Sequence, residues 1–269
     1  MSLNVCVLGS GSSGNAIYVG NDRTHLLIDA GLSAKQIALR LERIGIAPEA
    51  LEAICVSHEH VDHVSGLRVF QKRHGVAVYS NAGTLRGIRR IPKNDELNVR
   101  IFQTGAPFRV GEIVVEPFSV PHDACDPVGF RIRSERTCVG IVTDLGVTTP
   151  LVREKMRGCH ALVVESNHDE DLLMEAPRPW SLKQRIRSRQ GHLSNLAAAR
   201  LVAECAGEGL EHVFLAHLSS DCNEPDLALR TVAGQLRLDG LGHIRLEVSR
   251  PDRVTPVWRH GEKTSVSAS

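Results

Sequence analysis

The chain has 269 residues, 42% of them hydrophobic, and a formal net charge of +1. That apolar content suffices for one large domain or two small ones, and the near-neutral balance excludes a global electrostatic pull on nucleic acid or membrane. Seven scattered cysteines with no C-x-x-C exclude a disulfide framework and a zinc ribbon, and suit a reducing cytoplasm.

The start, MSLNVCVLGS, has neither the basic end nor the apolar length of a signal peptide or membrane span. The expectation is a cytoplasmic protein with no membrane partner. Next comes VLGSGSSGN, where Gly9, Gly11 and Gly14 spell the dinucleotide fingerprint G-x-G-x-x-G. That fingerprint needs a helix to begin at the glycines. Here the following runs, Ala16 to Val19 and His25 to Ile28, are short, β-rich and separated by Gly-Asn-Asp, which reads as a hairpin. A dinucleotide site is therefore rejected.

Strand-like and helical runs then alternate. A strand at 53–56 precedes a helix at 64–73, and a strand at 76–79 precedes a helix at 82–90. Strands follow at 113–120, 128–132 and 138–142, then a helix at 151–157 and a strand at 161–165. A helix at 195–205, a strand at 213–216, a helix at 226–236 and a strand at 244–248 complete the pattern. Strands outnumber parallel crossover units, so an α/β (α+β) sandwich of sheets between helices is expected, not a doubly wound sheet. Residues 1–250 read as one domain and 251–269 as a polar C-terminal tail.

Thirteen histidines are a surplus that invites a search for metal ligands. The strongest signal is SHEHVDH, which sets His58, His60, Asp62 and His63 at one strand-to-helix turn. One histidine there is readily a packing residue; four ligand-type side chains leaving one turn are not. The pattern H-x-H-x-D-H resembles the metallo-β-lactamase superfamily of αβ/βα four-layer sandwich hydrolases. That resemblance implies further ligands at later strand ends: His122 in VPHDA, Asp144 in IVTDLG and His217 in FLAHLSS, with Asp29 in LLIDAG as a buried support. On this pattern His58, His60 and His122 bind one divalent ion and Asp62, His63 and His217 another, with Asp144 bridging. Imidazole and carboxylate ligands suit catalytic Zn²⁺, and the lack of thiolate leaves Mn²⁺ or Fe²⁺ open. Two such ions share a water, lower its pKa and stabilise an in-line displacement; the second oxygen of Asp62 would orient that nucleophile.

ESNHD places Glu165 at a strand end ahead of Asn167 and His168 as supporting residues, and GHLSN places His192 just before a helix. The Glu and His pair is similar to that of the tRNA 3′-processing endonucleases of the superfamily, which implies that Glu165 orients His192 as a general acid. The bland alternative is a capping His and an unrelated Glu. In wording, SGSSGN, SHEHVDH, VPHDACDPVGF, TDLG, ESNHD, LKQRI, GHLSN and HLSSDCNEP together resemble the YycJ (WalJ) family, from Leu8 to about Asp226. This resemblance implies a metal-dependent nuclease acting on DNA in preference to RNA, a 5′ to 3′ exonuclease. A small-molecule metallohydrolase with the same metals (cyclic phosphodiesterase, thioesterase or lactonase) is the alternative.

Residues 178–200 carry six basic side chains and no acidic one. Lys183 and Arg185 would meet a phosphate backbone, with Trp180 stacking on a base; the competing reading is a solvated helix face with Trp180 as a core anchor. In the opening loop, Ser12, Ser13 and Asn15 would help hold a substrate phosphate, or would simply line a tight polar turn.

Overall fold

A computed structural model describes residues 1–262 of the chain. Two seven-stranded mixed sheets lie face to face between layers of helices. The first opens with strands β1 (Asn4–Gly9), β2 (Ala16–Gly20) and β3 (His25–Ile28). The hairpin expected from Gly-Asn-Asp is β2–β3, antiparallel with Ile17 opposite Ile28 and Gly20 opposite His25. Helix α1 (Ala34–Arg43) follows, capped by Ser33 accepting from the Gln36 amide, with Ile37 and Leu41 buried. This helix is additional to the expected elements, although a Ser cap ahead of apolar residues four apart is a helix signal.

Strand β4 (Leu51–Cys55) pairs parallel with β3. The single helix expected over 64–73 is two: α2 (Val61–Val64) and α3 (Leu67–His74). Gly66 parts them, packed so tightly against the loop after β3 that a Cβ would sit 2.0 Å from the Leu32 carbonyl oxygen. Strand β5 (Ala77–Ser80), helix α4 (Ala82–Ile88) and strand β6 (Val99–Ile101) complete this half.

The second sheet begins with the antiparallel β7 (Phe108–Val110), β8 (Ile113–Ser119) and β9 (Val128–Arg133), then β10 (Cys138–Val142). Helix α5 (Pro150–Met156) leads to β11 (Ala161–Glu165), parallel to β10. Short helices α6 (Glu170–Glu175) and α7 (Trp180–Ile186) precede α8 (Asn195–Cys205), β12 (His212–Ala216), α9 (Pro225–Leu238) and β13 (Arg245–Val248). Every residue of β10 and β11 is buried, as expected of strands covered on both faces.

Between the sheets, Val5, Val7, Ile17 and Ile28 meet Phe130, Ile141, Val163 and Phe214. On the outer faces, Ile37, Leu41 and Phe70 cover the first sheet, and Val152, Leu201 and Val232 cover the second. This is the αβ/βα four-layer sandwich that the sequence led us to expect.

The segment assigned to the tail differs. Trp258–Arg259 forms strand β14, antiparallel to β1, with Val5 opposite Trp258. Thr255 is buried and its Oγ1 accepts from the Val7 amide at 3.0 Å. The sheet therefore extends beyond residue 250, because β1 would otherwise be an open edge; residues 263–269 lie outside the described part. No helix among the described residues is long and apolar enough to cross a membrane.

Candidate metal centre

Ligand-type side chains gather where the carboxyl ends of parallel strands from the two sheets meet. Asp29 follows β3, the 57–63 turn follows β4, Asp144 follows β10, Glu165 ends β11 and His217 follows β12. Clefts outside strand carboxyl ends are the usual ligand sites of such sheets.

Asp29 holds the turn together. Its Oδ1 accepts the Ser57 amide, and its Oδ2 accepts both Ser57 Oγ and His63 Nδ1, each at 2.7 Å. A carboxylate on Nδ1 fixes the tautomer and leaves Nε2 to a metal. The same device recurs across the cleft. His122 Nδ1 donates to the Gly191 carbonyl at 3.1 Å, and His217 Nδ1 donates to Glu165 Oε1 at 2.9 Å. Their Nε2 atoms face His60 Nδ1 at 3.3 Å and Asp62 Oδ2 at 3.2 Å respectively.

Potential donor atoms converge in overlapping groups, each within 4.8 Å: His58, His60 and His122; Asp62, His63 and His217; His58, His63 and Asp144. Asp144 lies between, with Oδ2 3.1 Å from His63 Nε2 and Oδ1 3.6 Å from His122 Nε2. All seven side chains expected as ligands thus face one another. Their electrostatics suit a cation. Burial disfavours charge on His63, yet Asp144 and Asp29 raise its pKa to about 10. Burial likewise opposes the charge of Asp144, but His217, His63 and His58 hold it well below the usual carboxylate range. His58, desolvated and beside His63, is pushed well below an ordinary imidazole. Its buried Nε2 has no hydrogen-bond partner among the described residues. A neutral imidazole nitrogen without a bond, amid carboxylates, fits a divalent metal.

Glu165 is wholly buried and accepts four hydrogen bonds. Oε1 takes His192 Nδ1 at 2.7 Å as well as His217; Oε2 takes the Leu145 amide at 2.9 Å and the Leu193 amide at 3.0 Å. His192 lines the same cleft as Asp62, Asp144 and His217. Burial lowers its pKa, but Glu165 outweighs that and leaves it raised.

The supporting and substrate positions divide. Asn167 donates to the His217 carbonyl at 2.9 Å and lines the cleft. His168 does not reach it: the ring is buried beside a separate pocket with Glu170 and Arg187, and burial pushes its pKa down to about 4. Asn15 is fully buried, its Nδ2 3.3 Å from Asp62 Oδ2 and 3.1 Å from His63 Nε2, so its side chain is spent on two candidate ligands and is closed to substrate. Ser12 lines the cleft and Ser13 an adjoining cavity.

In the basic segment, Trp180 is 54% exposed, which rules out a core anchor. Lys183 is buried instead, its ammonium bonded to the Met174 carbonyl at the end of α6. It cannot meet a phosphate backbone, because it is buried and a helix-end carbonyl already takes its charge. Arg185 does face the cleft, and its Nε donates to Asp123 at 2.6 Å. Arg178, the first of the six basic residues of this segment, lines the cleft as well and pairs with Asp221. Two participants went unread: Ser57, whose Oγ joins Asp29 to His58 Nδ1 at 2.9 Å, and Asp123. Ser57 and Asp123 each adjoin a motif histidine, and adjacency was the one available signal.

Residues 24–217 match the family described as "Beta-lactamase superfamily domain". The chain is 36% identical over 243 residues to "Exodeoxyribonuclease YycJ" of Bacillus anthracis, covering 90% of this chain and 92% of that one. It is 34% identical to "Exodeoxyribonuclease WalJ" of Streptococcus pneumoniae, covering 93% and 96%. Among solved structures, the metallo-β-lactamase fold protein YhfI of Bacillus subtilis superposes with a TM-score of 0.73 over 96% of this chain and all of that one, at 18% identity. With this agreement running through the strand ends that carry the histidine and aspartate cluster, the chain belongs to the metallo-β-lactamase superfamily and, within it, to the YycJ/WalJ family.

Proposed function

We propose that the protein is a metal-dependent DNA nuclease that removes nucleotides from the 5′ end of a strand. The observation that carries this reading is the Glu165–His192 pair at 2.7 Å, set in the same cleft as the ligand cluster. The names of the relatives, which are exodeoxyribonucleases, supply the polymer. His58, His60 and His122 would hold one divalent ion and Asp62, His63 and His217 a second, with Asp144 between. Zn²⁺, Mn²⁺ or Fe²⁺ there would act as a Lewis acid on the phosphodiester and make a water nucleophilic at neutral pH.

The chain's own groups do the rest. Asp62 Oδ2 is held by Asn15 and His217, while Oδ1 has no partner among the described residues and orients the attacking water. His192 keeps Nδ1 on Glu165, so Nε2 carries the proton that passes to the departing 3′ oxygen. Glu165 stabilises the imidazolium before that transfer and fixes the ring's direction. Arg185, and Arg178 at the same cleft, neutralise phosphate charge.

Purified protein of measured metal content, incubated with 5′- and 3′-labelled DNA and RNA, tests this. Mononucleotide release from the 5′ end of DNA, abolished by chelator and restored by Mn²⁺ or Zn²⁺, is expected. No cleavage of any polymer by metal-loaded protein overturns it. Turnover of bis-p-nitrophenyl phosphate alone would make the protein a small-molecule phosphodiesterase.

A further inference from the structure

Beside the metal cleft lies a second cavity of about 450 Å³, and the two share Ser12 and Ser219 as wall residues. Its chemistry differs from that of the cleft. The cleft mixes the carboxylates of Asp62, Asp123 and Asp144 with the guanidinium groups of Arg178 and Arg185. The second cavity is lined by the hydroxyl residues Ser12, Ser13, Ser220 and Ser249 and by Arg250, and none of the described residues in its wall is acidic. Of the acids that flank these segments in the chain, Asp221 is paired with Arg178, Asp252 lies 3.9 Å from Arg253, and Glu224 is exposed. Arg250 has no carboxylate partner among the described residues. Ser249 Oγ is buried in the same wall without a hydrogen-bond partner.

The wall is also anchored by hydrogen bonds. The Ser10 amide donates to the Arg250 carbonyl at 3.2 Å, and Arg40 donates to the Pro251 carbonyl at 2.8 Å, tying the loop after β13 to the first sheet. Gly11 forms part of the floor at φ 145°, where a Cβ would stand 3.4 Å from the Leu218 carbonyl and 3.7 Å from Pro251. Pro225 and Pro251 add apolar faces. Hydroxyls and an uncommitted guanidinium recognise a phosphate, and proline faces suit the flat side of a base or sugar.

We propose that this cavity is a second substrate subsite, which takes the phosphate and nucleoside one position from the scissile bond. The inference rests on the nuclease reading, in which a nucleotide leaving the 5′ end carries its own phosphate away from the cleft. The same phosphate chemistry could come from the strand terminus or from an internal linkage.

The test uses metal-loaded full-length protein and three probes: DNA with a 5′-phosphate, the same DNA with a 5′-hydroxyl, and bis-p-nitrophenyl phosphate, which has one phosphate and no neighbouring nucleotide. For Arg250→Gln, the KM for DNA relative to that for the small diester is expected to rise about fivefold to tenfold. Arg237→Gln, an exposed charge elsewhere, should leave that ratio unchanged. A rise confined to 5′-phosphorylated DNA assigns the terminal phosphate; an equal rise for both ends assigns an internal one. An unchanged ratio for Arg250→Gln overturns the subsite. Should wild-type protein hydrolyse the small diester and no DNA, the nuclease reading fails by itself. Inhibition of diester hydrolysis by thymidine 5′-monophosphate then decides: weakening about fivefold in Arg250→Gln supports the subsite, and unchanged inhibition overturns it.

Discussion

Asp29 sets the direction of His63, and Glu165 that of His192 and His217, so that the second nitrogen of each ring faces the cleft. Asp29 sits at φ 60°, a left-handed conformation that Asn tolerates about as well as Asp. Asp29→Asn should therefore keep the backbone, while losing a carboxylate on His63 Nδ1. Metal affinity is expected to fall about 10-fold to 100-fold, measured by competition with a chromogenic chelator; unchanged affinity would show that Asp29 serves only the turn. Glu165→Gln keeps the shape but cannot accept four hydrogen bonds. We expect kcat to drop about 100-fold or more, with the metal content retained as measured by mass spectrometry. Loss of metal with kcat per metal unchanged would instead assign Glu165 to His217 alone.

Helix α7 carries its charges on two faces with different work. Lys183 points inward to the end of α6, whereas Trp180 and Arg185 point outward. Lys183→Met should lower Tm by a few degrees, because a buried helix-end contact is lost, and leave the KM for DNA unchanged. Trp180→Ala should leave Tm unchanged and weaken DNA binding by about tenfold, the worth of one base–aromatic stack. Arg185→Gln should reduce the slope of log affinity against log salt by about one. If Lys183→Met alters the salt slope and Arg185→Gln does not, the two faces are assigned the wrong way round.

The cleft is a seam between halves. The first sheet contributes the 57–63 turn and Asp29, and the second contributes His122, Asp144 and His217. A cation held by both stabilises the native sandwich by mass action, so chelation should lower Tm by several degrees and re-addition of Zn²⁺ or Mn²⁺ restore it. A Tm insensitive to chelator, with metal shown to be removed, would mean that the ligands do not tie the halves together. The closing strand matters at the same level. Trp258 is 8% exposed and packs into the core between the sheets, so Trp258→Ala should cost about 3–5 kcal/mol in denaturant unfolding.

The candidate metal ligands could be read from the chain because their signals are local: four of seven leave one turn, and the others stand just after apolar runs that must end there. The same holds for the hairpin after the glycines and for the strands of the second sheet, where β-rich runs and turns are contiguous. Elsewhere the deciding forces were distant in sequence. Asn15 turned from substrate contact to ligand support because Asp62 and His63, 47 and 48 residues away, close over it. Lys183 lost its phosphate because α6 offers it carbonyls, and the segment after residue 250 became a strand because β1 had a free edge. The cavity of Ser249 and Arg250 beside the opening loop joins residues more than 200 positions apart in the chain. Local pattern shows which side chains end a strand; only packing shows which of them face each other, since burial and partner charge are properties of the assembled chain.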